Sequence, residues 1–445
     1  MLEGHRRSTL YILVPFVIVF TVIIFDTGVN RFYLYRPTSE TVYSNFAVFI
    51  LLTLVSVSIQ YFVLLGIRSG LKNAKFTRSL TYKMMLLLTL SGNSAIAIVL
   101  GVVIFQILTT SSYNLYSLTL ILWMSYSIGL GMLCILVIRF FNWYLSSRNR
   151  FILLYATAIL AFVLNASATL AISTLLINGQ PVVQYETIGT ISFGLGSSTI
   201  TGLNSLSNIS SIISFVLMWS ATALFLRAYS RKMGRIKYWS LISLPLLYFL
   251  IQFQPLFLNA LYFLEPDTIA RLYIQVFAAS KVVGGVLFGI SFWIIVRKIE
   301  NQNIIRVYIL VSGFGIAILF GSNQGIILSN TPYPPFGVFT VSFFGLASYL
   351  TLVGIYYSAI SASQDTALRR SIRKSVEQKI NLVDVIGNAE VMKAVTKNAM
   401  KLYAKHSTEA GFDYETETQL NEQEIKEYVK QVMTELKKQP KRDVT

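Results

Sequence analysis

The sequence predicts an all-α fold, a polytopic transmembrane bundle of about ten spans with its N and C termini inside, ending in a short cytoplasmic helical tail. Three observations predict it. Of the 445 residues 54% are apolar and 13% charged, and the mean hydropathy is +0.61, outside the balance of a soluble globule. Apolar runs of about 20 residues, the length a helix needs to cross a hydrocarbon layer of about 30 Å, recur ten times along the chain. The net charge of +17 resides in the apolar part: residues 1–360 hold 22 Lys+Arg against 7 Asp+Glu, and the tail 361–445 holds 15 against 13. A positive-inside bias accounts for that surplus, so nucleic acid is not an expected partner and the lipid bilayer is.

The spans fall at residues 8–25, 43–67, 84–108, 115–138, 151–177, 206–226, 238–262, 272–296, 307–328 and 337–360. The first follows Arg6-Arg7 and ends before Asp26-Thr27-Gly28 with no small-residue cleavage site, so it is expected to be retained. With the N terminus inside, the inner segments carry 18 basic residues and the outer loops only Arg31, Arg36 and Arg271. That asymmetry over short loops predicts N-in and C-in, in a plasma membrane. Two outer loops are longer: 26–42, polar and opening on Asp26, and 178–205, rich in Gly, Ser and Thr, which reads as a surface loop, a lid, a hairpin or a re-entrant piece.

A weak repeat relates segments 84–226 and 238–360. Tyr116–Arg139 lines up with Tyr273–Arg297, and Asn165 falls opposite Asn323 at the same offset as Arg139 opposite Arg297. Its period of four spans gives halves of parallel orientation, a pattern found in transporters. The alternative is that apolar helices align by composition alone.

Catalysis within a membrane needs ionisable side chains at depth. The spans contain no His and no carboxylate; His5 and His406 flank them, and Cys134 is the single cysteine, expected to pack. These absences point away from an enzyme, a metal site and a cofactor. One charge stands inside a span, Lys281. At a rise of about 1.5 Å per residue, Asn165, Gln252 and Lys281 sit roughly 21 to 22 Å from their inner helix ends and Asn93 about 14 Å. These four are the candidate ligand-binding residues, a polar layer centred on Lys281; the competing reading is a structural lysine bonded to backbone carbonyls. The segment Ala278–Gly285 resembles the retinal-bearing lysine segment of microbial rhodopsins, but no intramembrane carboxylate offers a counter-ion. Gly285-x-x-x-Gly289, Gly321-x-x-x-Gly325 and Ser322-Asn323-Gln324 read as helix-packing positions.

Beyond Ile360 the tenth helix is expected to continue unbroken, placing Arg369, Arg370, Arg373 and Lys374 at the lipid headgroups. Leu382, Val385, Ile386, Ala389, Met392, Val395, Ala399 and Leu402 then recur at helical spacing, an amphipathic face suited to a protein partner or to self-association; the alternative reading is a partly disordered tail with local helicity.

The block Asn330-Thr-Pro-Tyr-Pro-Pro-Phe-Gly337, with Ser342–Tyr349, Ser361–Asp365 and Ser371–Lys374, resembles multi-spanning membrane proteins of ammonia-oxidising archaea. The resemblance implies an archaeal plasma membrane and carries over no site residue. Two functions remain open: a non-enzymatic sensor or signal relay that couples the bundle to the tail, and a permease for a small solute with its site near Lys281.

Overall fold

In a computed structural model the described residues are 14–28, 39–70, 80–177, 182–184, 198–227, 234–250, 282–294, 296, 304–330, 333–364, 386–387, 389–391 and 395. Ten helices appear among them: α1 (Val14–Gly28), α2 (Ser39–Gly70), α3 (Leu80–Thr110), α4 (Leu115–Ser147), α5 (Arg150–Ile177), α6 (Ser198–Arg227), α7 (Arg235–Leu250), α8 (Val282–Ile294), α9 (Ile304–Ser322) and α10 (Val338–Gln364). Seven of them, α2 to α6, α9 and α10, are long and apolar enough to cross a membrane. The chain is an integral membrane protein built as an all-helical bundle.

Local chemistry sets the helix boundaries. α3 ends at Ser111, in the left-handed region at φ 50, and Asn114 opens α4 by accepting the Tyr116 amide on its side-chain oxygen at 2.9 Å. The α4–α5 junction repeats the device: Arg148 takes φ 50 and Asn149 accepts the Phe151 amide at 2.8 Å. Asparagine suits both places because its short carbonyl satisfies an otherwise orphaned first-turn donor.

The structure departs from the sequence reading in four places. α6 starts at Ser198, eight residues before the expected 206, and residues 182–184 of the long loop form strand β2, antiparallel to β1 (Ser112–Asn114). The ninth span is not one helix: α9 stops at Ser322 and a 3₁₀ turn follows over Gly325–Asn330. Asp26, expected in an outer loop, ends α1 and is fully buried. Cys134, expected to pack, is exposed on α4.

The chain divides into two compact units. In the larger, Met1–Arg139 with Leu154–Ser358, α10 is the centre. Of its apolar stretch Val338–Ser361 all but the half-buried Tyr356 and Ile360 are buried, against 33% to 50% of the apolar windows of α2, α3, α4 and α6. Six helices reach it: α1 through Thr27 and Thr340 (3.2 Å), α2 through Gln60 and Ser342 (2.9 Å), and α3 through the Tyr82 and Tyr357 rings (5.6 Å). α4 reaches it through Ser125, which donates to the Val341 carbonyl at 2.8 Å, α5 through Phe162 against Phe344, and α9 through Gly315 beneath Thr351. Glycines set the closest approaches: a Cβ on Gly315 would lie 2.5 Å from the Thr351 nitrogen, and one on Gly289 of α8 2.5 Å from the Gly313 carbonyl oxygen of α9. The glycine spacing at 285 and 289 thus does serve helix packing.

The smaller unit, Phe140–Leu153 with Ala359–Thr445, contains the end of α4, the start of α5 and the tail. Here Ile386 and Ala389 are buried, and the Trp143 indole donates to a Glu390 carboxylate oxygen at 2.8 Å.

Candidate functional site

Several buried polar groups of the larger unit are joined in one chain of hydrogen bonds around Asn165. The Gly325 amide donates to the Tyr126 hydroxyl at 3.2 Å, which donates to Asn323 Oδ1 at 2.9 Å. Asn323 Nδ2 donates to Asn165 Oδ1 at 2.7 Å, and Asn165 Nδ2 to the Ser207 carbonyl at 2.8 Å and its Oγ at 3.2 Å. Tyr126, Asn165 and Asn323 are all buried. The chain joins α4, α5 and α6 to the segment just beyond α9.

The break after α9 makes this network possible. Asn323 still receives a helical bond, its amide reaching the Leu319 carbonyl at 3.2 Å, whereas the Gln324 amide turns to Ser322 at 2.8 Å. Gln324 Nε2 then bonds the Gly321 carbonyl at 2.8 Å, supplying a partner to backbone that the interrupted helix would leave bare. Gly325 fits because Leu122, Thr169 and Ser173 crowd the place of its missing side chain at 3.1 to 3.2 Å.

Of the four sequence-predicted ligand residues, Asn165 is in this network. Asn93 is buried, and its Nδ2 has no hydrogen-bond partner among the described residues. Lys281 and Gln252 lie outside the described residues, as do Arg369, Arg370, Arg373 and Lys374. The sequence reading missed Tyr126 and Ser207, which look like ordinary span residues, and took Asn323 only as packing glue. The polar triplet Ser322-Asn323-Gln324 inside an apolar run was the available signal.

A second polar centre sits at the start of α10. Gly337 precedes the helix with φ 97, a conformation that favours glycine and brings no capping side chain. Asp26 supplies the cap from α1: Oδ1 accepts the Gly337 amide at 2.7 Å, while Oδ2 accepts the Thr340 amide at 2.7 Å and its hydroxyl at 2.8 Å. A carboxylate at a helix N-terminus meets both the orphaned donors and the positive end of the helix dipole.

The carboxamide network is uncharged, and each of its side chains already has a partner. It therefore works as a tie between helices more readily than as an open binding pocket. Among the described residues no group of three His, Cys, Asp or Glu side chains could hold a metal ion. The chain matches no protein-family model, no curated protein and no solved structure.

Proposed function

We propose that this integral membrane protein is a non-enzymatic sensor or signal relay of the plasma membrane, in which α10 transmits between its Asp26-capped end and the cytoplasmic tail. The observation that carries this reading is the burial of α10 along its apolar length, where only Tyr356 and Ile360 of Val338–Ser361 are half-buried. A helix with one face on lipid can shift against fluid, but one packed on all sides moves only by repacking its neighbours, so displacement at one end is felt along it. The cap adjoins the chain's polar loop 26–42, and on the charge-based orientation that end faces outward. The opposite end leads into a segment whose helical face suits a protein partner.

Hydrogen exchange of residues 386–395 in full-length protein tests the relay, with Asp26→Asn as the perturbation. Faster exchange in the tail of the variant supports it; an unchanged tail in a variant whose cap has loosened overturns it.

A second reading, a permease, is favoured by the interruption of α9, because broken helices in membranes line solute sites. A thermal-shift survey of small solutes on the wild type and on Lys281→Met separates the two: a solute that stabilises only the wild type would favour the permease.

A further inference from the structure

Equivalent residues of the repeat seen in the sequence touch one another in the fold. Asn165 and Asn323, 158 residues apart, share a hydrogen bond of 2.7 Å. Phe162 and Phe320 stand at the same offset, and their ring centroids are 4.8 Å apart. Both contacts advance three residues along each chain, from Phe162 to Asn165 on α5 and from Phe320 at the end of α9 to Asn323 just beyond it, so the two segments run side by side in the same direction. In an arrangement with a two-fold axis, a position touches its own image only next to that axis.

Away from this line the contacts come in exchanged pairs. α4 packs on α10: Phe344 occupies the space a side chain at Gly129 would need and stacks on Tyr126 at 4.3 Å. α8 packs on α6: a Cβ at Gly284 would lie 2.8 Å from the Phe215 ring, which is 5.4 Å from Phe288. With α4 equivalent to α8 and α6 to α10, each helix pairing is the image of the other, although the touching residues are not equivalent positions: the offset of 158 pairs Gly129 with Leu287 and Gly284 with Tyr126. The same holds nearer the axis. Ser214 of α6 donates to the Ala158 carbonyl of α5 at 3.2 Å, and the position equivalent to Ala158 is Ile316, beside the Gly315 on which Thr351 of α10 rests.

We propose that α4–α6 and α8–α10 are two parallel copies of one helical unit, related by a pseudo-two-fold axis through the Phe162–Phe320 and Asn165–Asn323 contacts, and that they exchange their last helices. α10 then belongs with α4 and α6 with α8. The exchange interlocks the copies, so neither half moves as the sequence divides it. This inference goes beyond the relay reading and does not depend on it.

Double-mutant cycles on the thermal transition of full-length protein test the exchange. Gly129→Ala and Gly284→Ala are each expected to lower Tm, while Gly131→Ala and Gly101→Ala, which face open space, should not lower it. Phe344→Leu should recover part of the Gly129→Ala loss, and Phe215→Leu part of the Gly284→Ala loss. The crossed combinations, Gly129→Ala with Phe215→Leu and Gly284→Ala with Phe344→Leu, should simply add. Coupling in a crossed pair, or in only one of the direct pairs, overturns the proposal. Should an alanine variant fail to fold, Gly129→Cys with Ser348→Cys in a Cys134→Ala background gives an independent reading. A Cβ at 129 lies 2.9 Å from Ser348 Oγ, so an α4–α10 disulfide is expected, and its absence under oxidation overturns the exchange.

Discussion

Asp26 holds the amide of Gly337 at 2.7 Å across 311 residues of chain, a helix cap delivered by a different helix. Replacing Asp26 by Ala leaves the Gly337 and Thr340 amides without that acceptor inside the protein. A loss of about 1–3 kcal/mol is expected for such buried donors. Asp26→Asn, which keeps one acceptor oxygen, should lose less. Chemical or thermal unfolding in detergent checks the order wild type, Asn, Ala.

The contact of α9 with α10 leaves no room at Gly354, where an added Cβ would collide with Ser312. Gly354→Ala should destabilise by about 1–3 kcal/mol through overpacking. Ser312→Gly should not relieve it, because the Ser312 nitrogen and Cα also stand 2.6 and 2.8 Å from that Cβ, and a shift in the unfolding midpoint measures both variants.

Trp143 and Glu390 hold the tail within the smaller unit by an indole-to-carboxylate bond of 2.8 Å. Trp143→Phe and Glu390→Gln are expected to speed protease cleavage around residues 386–395. Removing residues 376–445 should leave the transmembrane bundle folded, because each spanning helix bonds its own backbone. The melting transition of the truncated protein decides it: collapse would mean that the tail is part of the bundle's core.

The charge asymmetry of the loops predicts the orientation. In a Cys134→Ala background, cysteines at Ser112 and Ser329 should react with an impermeant reagent from outside, and cysteines at Ser69 and Ser230 only after permeabilisation. Reaction of Ser69→Cys in sealed cells would reverse the assignment there.

Hydropathy and length made α2, α3, α4 and α5 legible, because a run of apolar residues bounded by polar ones has few other fates. The same measure is blind to whether a helix faces lipid or protein, so the central place of α10 was not readable from it. A hint lay in Ser342, Gly345, Ser348, Thr351, Gly354 and Ser358, small or hydroxylated residues that allow close approach on several sides. Asp26 was misjudged because an acid after an apolar run ordinarily marks a loop, and its partners Gly337 and Thr340 are remote in sequence. The sequence singles out Asn165 as a polar residue inside a span and pairs it by helix length with Gln252 and Lys281. The fold gives it Asn323 and Ser207, a choice fixed by helix rotation and by the break after α9.

The enclosure of α10 bears on how the protein is made. Chains emerge from the ribosome N-terminus first, so the six helices that surround α10 are all synthesised before it. Until residue 338 and its successors arrive, Asp26, Gln60 and Ser125 lack the acceptors and donors on α10 that they bond in the finished molecule. The bundle is completed from its centre last, and a nascent chain stopped short of α10 would expose its polar seam instead of a core.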